Sequence, residues 1–237
     1  AGADAALLIS RYYNRPTQDG IVAHYRTVAA ETGLPLFVYN IPGRTASRIE
    51  PETVARLAAV PGILGLKEAG GALVKAAHTI ALADDDFVVL SGDDALTLPL
   101  LAIGGRGVIT TTGNVAPREV AGITQAAQSG DWDRARSLHY ALLPLMEALF
   151  LESNPIPVTA ALALLGRSPE PPLRLPLTEI SKPNRDRLEA ARAGLEAGAQ
   201  QQDALPFRGE HVAPGGALVP VLGREVGPAA GAAAAAA

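Results

Sequence analysis

The feature that most constrains this chain is the alternation of short, almost uninterrupted apolar runs with longer segments of helical period. The runs are Ala5–Ile9, Leu34–Asn40, Ile63–Lys67, Phe87–Ser91 and Gly107–Thr111. They do not switch between apolar and polar at every step, as a half-solvated strand would. Strands of this kind are covered on both faces, the condition of a parallel sheet flanked by helices. Between the runs, Gly20–Thr32 sets Ile21, His24, Tyr25 and Val28 on one helical face. Pro51–Ala59 opens with proline at a first helical position after Glu50, and Val54, Leu57 and Ala58 form its apolar stripe. Ala72–Ala83, Asp94–Ile103 and Ala116–Ser129 read the same way, with Asp93 or Asp94 as a helix cap. Five βα units in succession imply a parallel sheet with crossover helices.

After Ser129 the pattern changes. Trp132–Phe150 predicts one long helix with Ala135, Leu138, Leu142, Leu145, Met146 and Leu149 inward. Pro155–Leu165 and Ser181–Ala197 predict two more, and no further strand run follows. From Gly198 the chain becomes a Gln, Ala, Gly and Pro mixture without apolar period, the composition of a disordered tail. The expected organisation is an α/β unit over 1–130, a helical unit over 131–197 and a tail over 198–237. Five parallel strands fit an open doubly wound sheet. They fit equally the last five strands of an eight-stranded barrel, and periodicity alone leaves both open.

Composition excludes several function classes. The chain has no cysteine, so disulfide scaffolds, thiolate metal sites and a cysteine nucleophile are out. The formal net charge is -4, with both signs scattered, which is not the basic footprint of a nucleic-acid binder. Outside the terminal alanine tract no apolar run is long enough to span a bilayer. Ala1–Asp4 carry no basic leader pattern, and the chain reads as if it starts inside a fold. The four histidines, His24, His78, His139 and His211, show no metal-ligand spacing.

In parallel α/β folds chemistry gathers at the carboxyl ends of the strands. Those ends read Ser10-Arg11-Tyr12-Tyr13-Asn14, Tyr39-Asn40, Lys67-Glu68, Ser91-Gly92-Asp93-Asp94 and Thr110-Thr111-Thr112. Alternation along Ile63-Leu64-Gly65-Leu66-Lys67 aims Lys67 to the same side as Gly65 and Ile63. A lysine held there loses hydration, and its amine becomes a nucleophile toward a keto carbonyl. A strand-end lysine paired with Glu68 is the alternative. Tyr39 ends the preceding strand, and its phenol can relay protons to a forming imine, or can be a buried tyrosine with a satisfied hydroxyl. Arg44 follows a Pro-Gly turn that can present its guanidinium to a carboxylate, or simply to solvent. Ser91-Gly92-Asp93-Asp94 reads as a helix cap in preference to a metal site. Gly104-Gly105-Arg106-Gly107 precedes a strand, so it reads as a tight turn and not a phosphate loop.

Five stretches together resemble one family. They are Tyr12-Tyr13-Asn14-Arg15-Pro16, Val38-Tyr39-Asn40-Ile41-Pro42-Gly43-Arg44-Thr45, Gly65-Leu66-Lys67-Glu68-Ala69, Leu90-Ser91-Gly92-Asp93-Asp94 and Asn154-Pro155-Ile156-Pro157-Val158. In order and spacing, from about Gly2 to about Arg192, they are similar to the dihydrodipicolinate synthases. The resemblance implies a (β/α)8 TIM barrel with a carboxy-terminal helical extension. Here the first three βα units, with their Gly-Thr-Thr-Gly-Glu motif, would lie ahead of Ala1. It implies Lys67 as the Schiff-base lysine for pyruvate, with no separate cofactor, and Tyr39 as the proton-relay tyrosine. Tyr13 is implied as a tyrosine lent across a dimer interface, and Tyr12 as a neighbour of the lysine-feedback site. Arg44 is implied to engage the carboxylate of aspartate semialdehyde, with Gly92 and Ile109 lining the pyruvate pocket. The implied setting is a cytoplasmic homotetramer, a dimer of dimers, in lysine and diaminopimelate synthesis. Sister aldolases acting on N-acetylneuraminate or 2-keto-3-deoxy sugar acids share the lysine and the tyrosine. A catalytically silent fragment is the reading from a different class.

Overall fold

The computed structural model describes residues 2–168 and 173–202, with side chains to residue 195. Its order is β1 (Ala6–Ile9), α1 (Gln18–Thr32), β2 (Leu36–Asn40), α2 (Pro42–Thr45), α3 (Pro51–Ala58), β3 (Ile63–Glu68), α4 (Leu73–Leu82) and β4 (Val88–Ser91). There follow α5 (Thr97–Ala102), β5 (Gly107–Val108), α6 (Pro117–Gln128), α7 (Trp132–Ala148), α8 (Ile156–Leu164) and α9 (Lys182–Gln202). All strand pairs are parallel, and the spatial order is β1-β2-β3-β4-β5. A doubly wound sheet needs a reversal of strand order, so that alternative is excluded. Crossovers of one hand advancing in one direction place every connecting helix on the same face.

The burial pattern agrees with that single helical face. Leu8, Val38, Leu66 and Val89 are register partners, and the last three are at most 2% exposed. They pack with Ile21, Tyr25, Val54 and Leu57 of α1 and α3. The adjacent row, Ile9, Tyr39, Lys67 and Leu90, lies on the other face, where Ile9 is exposed and Tyr39 and Lys67 are half-buried. Among the described residues β1 and β5 each pair on one side only.

One irregularity decides which way the middle strand points. Leu36 pairs with Ile63, but Phe37 pairs with Gly65, so Leu64 is an extra residue in β3. The bulge turns Ile63 to the helical face, where it joins the core of Leu36 and Leu57. The expectation that Ile63 shares a side with Lys67 is thereby corrected; Gly65 and Lys67 do share one. A single inserted residue exchanges the faces of everything that follows it.

The ends of elements differ from the predicted ones for local reasons. Thr17 caps α1 with its hydroxyl, accepting from Gly20 N, so the helix begins before Gly20. Pro42 starts α2, a single turn where the sequence suggested only a bend. The predicted Asp94–Ile103 helix is split into a 3-10 turn over Asp94–Leu96 and α5. β5 stops at Val108 because the amides of Thr111 and Thr112 turn onto the Asp94 carboxylate. α9 runs to Gln202, beyond the predicted end at Ala197. The remainder of the predicted tail lies outside the described residues.

Helices α7, α8 and α9 pack with Leu98 and Leu101 of α5, Val108 of β5 and Val120 and Ile123 of α6. The C-terminal helices are therefore built onto the last βα units through one continuous core. α7 presents Ala135, Leu142 and Leu145, all fully buried, at helical spacing.

Gly65 tests the sheet geometry. A methyl group there would sit 2.3 Å from the Val88 carbonyl oxygen and 2.8 Å from the Phe37 ring. Gly65→Ala is expected to destabilise the protein by about 1–3 kcal/mol through overpacking. The measurement is the urea midpoint at unchanged m-value.

Candidate active site at the strand ends

Tyr39 and Lys67 are direct register partners on adjacent parallel strands. Their side chains therefore leave the sheet on the same face and at the same height. Lys67 Nζ lies 4.1 Å from the centroid of the Tyr39 ring, over its face. Glu68, the next residue, turns to the opposite face. Its carboxylate accepts from Asn40 Nδ2 at 2.8 Å and from the Gly70 amide at 2.6 Å. The alternative of a Lys67–Glu68 pair is thus excluded, and none of the ion pairs of the described residues includes Lys67.

Burial lowers the Lys67 pKa, opposed by the negative charge of Asp94. The ring face of Tyr39 also favours the protonated amine, but desolvation wins. Burial raises the Tyr39 pKa, while the Arg44 charge works the other way and that of Asp94 adds to the rise. The result is an amine biased toward its nucleophilic form beside a phenol held protonated. That pairing suits proton exchange with a carbonyl adduct.

Gly92 follows β4 and lies against the lysine stem. A Cβ at Gly92 would meet Lys67 Cε at 2.8 Å and Lys67 Cγ at 2.9 Å. Ile109 follows β5, and its amide donates to Ser91 O at 2.8 Å. Gly107 pairs with Leu90 on the open face, so Ile109, two residues on, faces the same way. Arg44 is exposed in the last turn of α2 and donates from Nη2 to Asn154 O at 3.3 Å. Asn154 Nδ2 in turn reaches Thr111 Oγ1 at 3.4 Å. Lys67, Tyr39, Gly92, Ile109 and Arg44 therefore gather on one rim. Tyr12 and Tyr13 do not join them. They are 66% and 92% exposed on the loop after β1, with Tyr13 in the left-handed region at φ 72°.

Two contributors were not recognised as such from sequence. Asn154 links α2 to the end of β5, and its only signal was membership of a matching stretch. Asp93 or Asp94 was expected as the cap; Asp93 takes the N-cap position, and Asp94 Oδ2 accepts from Thr111 N, Thr112 N and Thr112 Oγ1 at 3.1, 2.7 and 2.7 Å. The signal available was a pair of aspartates after one strand and three threonines after the next. Among the described residues no group of three or more His, Cys, Asp or Glu side chains is placed to hold a metal ion. No helix among them is long and apolar enough to cross a membrane.

The Lys67 titration has a consequence for stability. Its folded-state pKa lies below the unfolded one, so between the two values the unfolded chain binds more protons and stability rises with pH. On the acid side of that window the charged amine is a full cost. Lys67→Met is therefore expected to raise the urea midpoint at pH 7. The advantage should shrink as pH climbs to the ordinary lysine range.

Comparison with known proteins places most of the chain in one family. The profile of the Dihydrodipicolinate synthetase family covers residues 1–193. A 4-hydroxy-tetrahydrodipicolinate synthase of Syntrophobacter fumaroxidans is 52% identical over 188 residues, 79% of this chain and 65% of that protein. The chain thus spans less than two thirds of that relative's length. The solved 4-hydroxy-tetrahydrodipicolinate synthase of Methylacidiphilum fumariolicum is 39% identical at a TM-score of 0.83, covering 86% of this chain and 68% of that one. A dihydrodipicolinate synthase of Acinetobacter baumannii, solved in complex with pyruvate, is 38% identical at a TM-score of 0.79, covering 82% of this chain and 67% of that one.

Proposed function

The chain belongs to the dihydrodipicolinate synthetase family, and on that premise we propose that it condenses pyruvate with L-aspartate 4-semialdehyde through an imine on Lys67. The product would be 4-hydroxy-tetrahydrodipicolinate, in lysine and diaminopimelate synthesis. The observation that carries this reading is the half-buried Lys67 amine, in no ion pair among the described residues, over the ring of its register partner Tyr39. The pyruvate complex of the Acinetobacter baumannii relative supports the choice of first substrate.

The neutral amine adds to the pyruvate keto carbon, and water leaves to give a protonated imine. That cation acts as an electron sink, so a methyl proton is lost and an enamine forms. The enamine carbon attacks the aldehyde carbon of the second substrate. The amino group of that substrate then displaces Lys67 from the imine carbon and closes the ring. One water is lost overall, and the lysine is regenerated. Tyr39 gives and takes the protons of imine formation. Arg44, tethered to Asn154, receives the carboxylate of the semialdehyde, because a guanidinium matches a carboxylate in two-point geometry. Gly92 leaves room for the keto acid beside the lysine stem, and Ile109 lines the same pocket.

In this reading the sheet is the later part of a (β/α)8 barrel, as in the family. The protein acts as a cytoplasmic homo-oligomer built as a dimer of dimers. The exposure of Tyr13 suits a residue lent to a neighbouring subunit's site, and Tyr12 would face the feedback-ligand region beside it.

The test is incubation with pyruvate and borohydride, followed by peptide mass spectrometry. A reduced pyruvyl adduct is expected on Lys67 and is expected to vanish in Lys67→Ala. Turnover with aspartate semialdehyde should exceed that with sugar acids. Tyr39→Phe should reduce turnover by roughly 10²–10⁴-fold, the range for a lost proton-transfer group. An unlabelled Lys67 in the parent protein refutes the imine chemistry.

A further inference from the structure

Asp94 is 2% exposed, and its two carboxylate oxygens are treated very differently. Oδ2 receives three donors from Thr111 and Thr112, while Oδ1 is buried without a hydrogen-bond partner. An acceptor-only group ringed by N–H and O–H donors is the pattern of an ionised carboxylate. It has no cationic partner among the described ion pairs. Burying a charge half-satisfied is costly, and a group so placed calls for an explanation.

Its position supplies one. Asp94 stands two residues after Gly92, the glycine that touches the Lys67 stem, and it grips the turn that follows β5. It therefore stands just past the end of β4 and is bound to the turn that follows β5. The charge is close enough to act on both Lys67 and Tyr39. The other titratable or charged groups here are Tyr39 from β2, with Arg44 of α2 beyond it, and Asp93, which feels the Asp94 charge, while Glu68 faces the opposite side of the sheet with Asn40.

Resting on the imine reading, we propose that Asp94 is a positioning residue, fixed by the Thr111–Thr112 clamp, that supplies the counter-charge for the protonated imine on Lys67. The nitrogen is neutral when it attacks pyruvate and positive once water has left. A fixed anion with a free oxygen favours that second state and costs no reorganisation when it forms. It also keeps the amine from losing its proton too readily in the resting protein. The clamp has a purpose in this scheme: three donors on Oδ2 hold the carboxylate still.

The experiment follows deuterium exchange at the pyruvate methyl group by proton NMR in D2O, with pyruvate as the sole substrate. This reads imine and enamine formation without the second reaction. Asp94→Asn keeps the shape and an acceptor for the threonine donors but removes the charge. It is expected to slow exchange on the order of tenfold or more at the parent's optimum. It should also move the acid limb of the pH profile to lower pH, because Lys67 loses the charge that holds its proton. Thr112→Val weakens the clamp but keeps the charge, and its acid limb should stay where it is. Asp94→Ser replaces Asp94→Asn if the latter does not fold, with the same expected shift. An unmoved acid limb in the charge-removing variant, or the same shift in Thr112→Val, overturns the proposal. Absence of exchange in the parent protein would instead sink the imine reading itself.

Discussion

The site depends on the register that sets Tyr39 opposite Lys67, and that register depends on one extra residue. Without the bulge at Leu64, the side chain of residue 67 would point into the helical layer, beside Val38 and Val89. A lysine there would have no route to solvent and no partner, and the strand could not hold it. With the bulge, Ile63 and Leu66 both reach the core although they are three residues apart, and Lys67 emerges beside the phenol. The close approach of β4 at Gly65 is part of the same device. With no side chain at 65, the Phe37 ring can lie across β3 one step below the reactive pair.

Stability and chemistry pull against each other at this rim. Desolvating Lys67 makes an amine reactive and costs folding free energy at neutral pH, as linkage requires. Asp94 moderates that desolvation and also draws Thr111 and Thr112 out of the β5 ladder. Ending a strand after two residues gives up sheet hydrogen bonds. The same donors are fully re-used on the carboxylate, so the exchange is of one set of bonds for another, not a loss. What the protein gains is a negative charge in a fixed place.

Much of this was legible in the sequence, and the parts that were not share a cause. The five strands and their order in the chain followed from the apolar runs, because strands buried on both faces have an unmistakable composition. The bulge could not be seen, since Ile63-Leu64-Gly65-Leu66 is apolar throughout and carries no phase to read. Lys67, Tyr39 and Arg44 were visible because strand ends concentrate chemistry and polar residues stand out there. The role of Asp94 was not legible because its partners lie 17 and 18 positions away on another strand end. A local capping rule will always compete with a long-range bond that only the fold creates. Tyr12 and Tyr13 stand out only through their place in a matching stretch, since both extend into solvent on this chain.

The C-terminal helices have a role at the site that their composition does not suggest. The structure has two cores, one under β1 to β4 with α1 and α3, the other joining α5, β5 and α6 to α7, α8 and α9. Above the sheet the two halves meet at Asn154, between α7 and α8. Its backbone carbonyl takes the Arg44 guanidinium from the first half, and its amide reaches Thr111, whose own N–H is held by Asp94, in the second. An exposed arginine carries several kT of rotamer freedom, and a single 3.3 Å bond removes only part of it. That bond is useful only if its acceptor is itself rigid, and α7 and α8 supply the rigidity through a core of fully buried leucines, among them Leu142, Leu145 and Leu149. The orientation of the arginine on the rim is thus set by packing far from any strand. A change in the helical core would reach the chemistry through the geometry of one carbonyl oxygen.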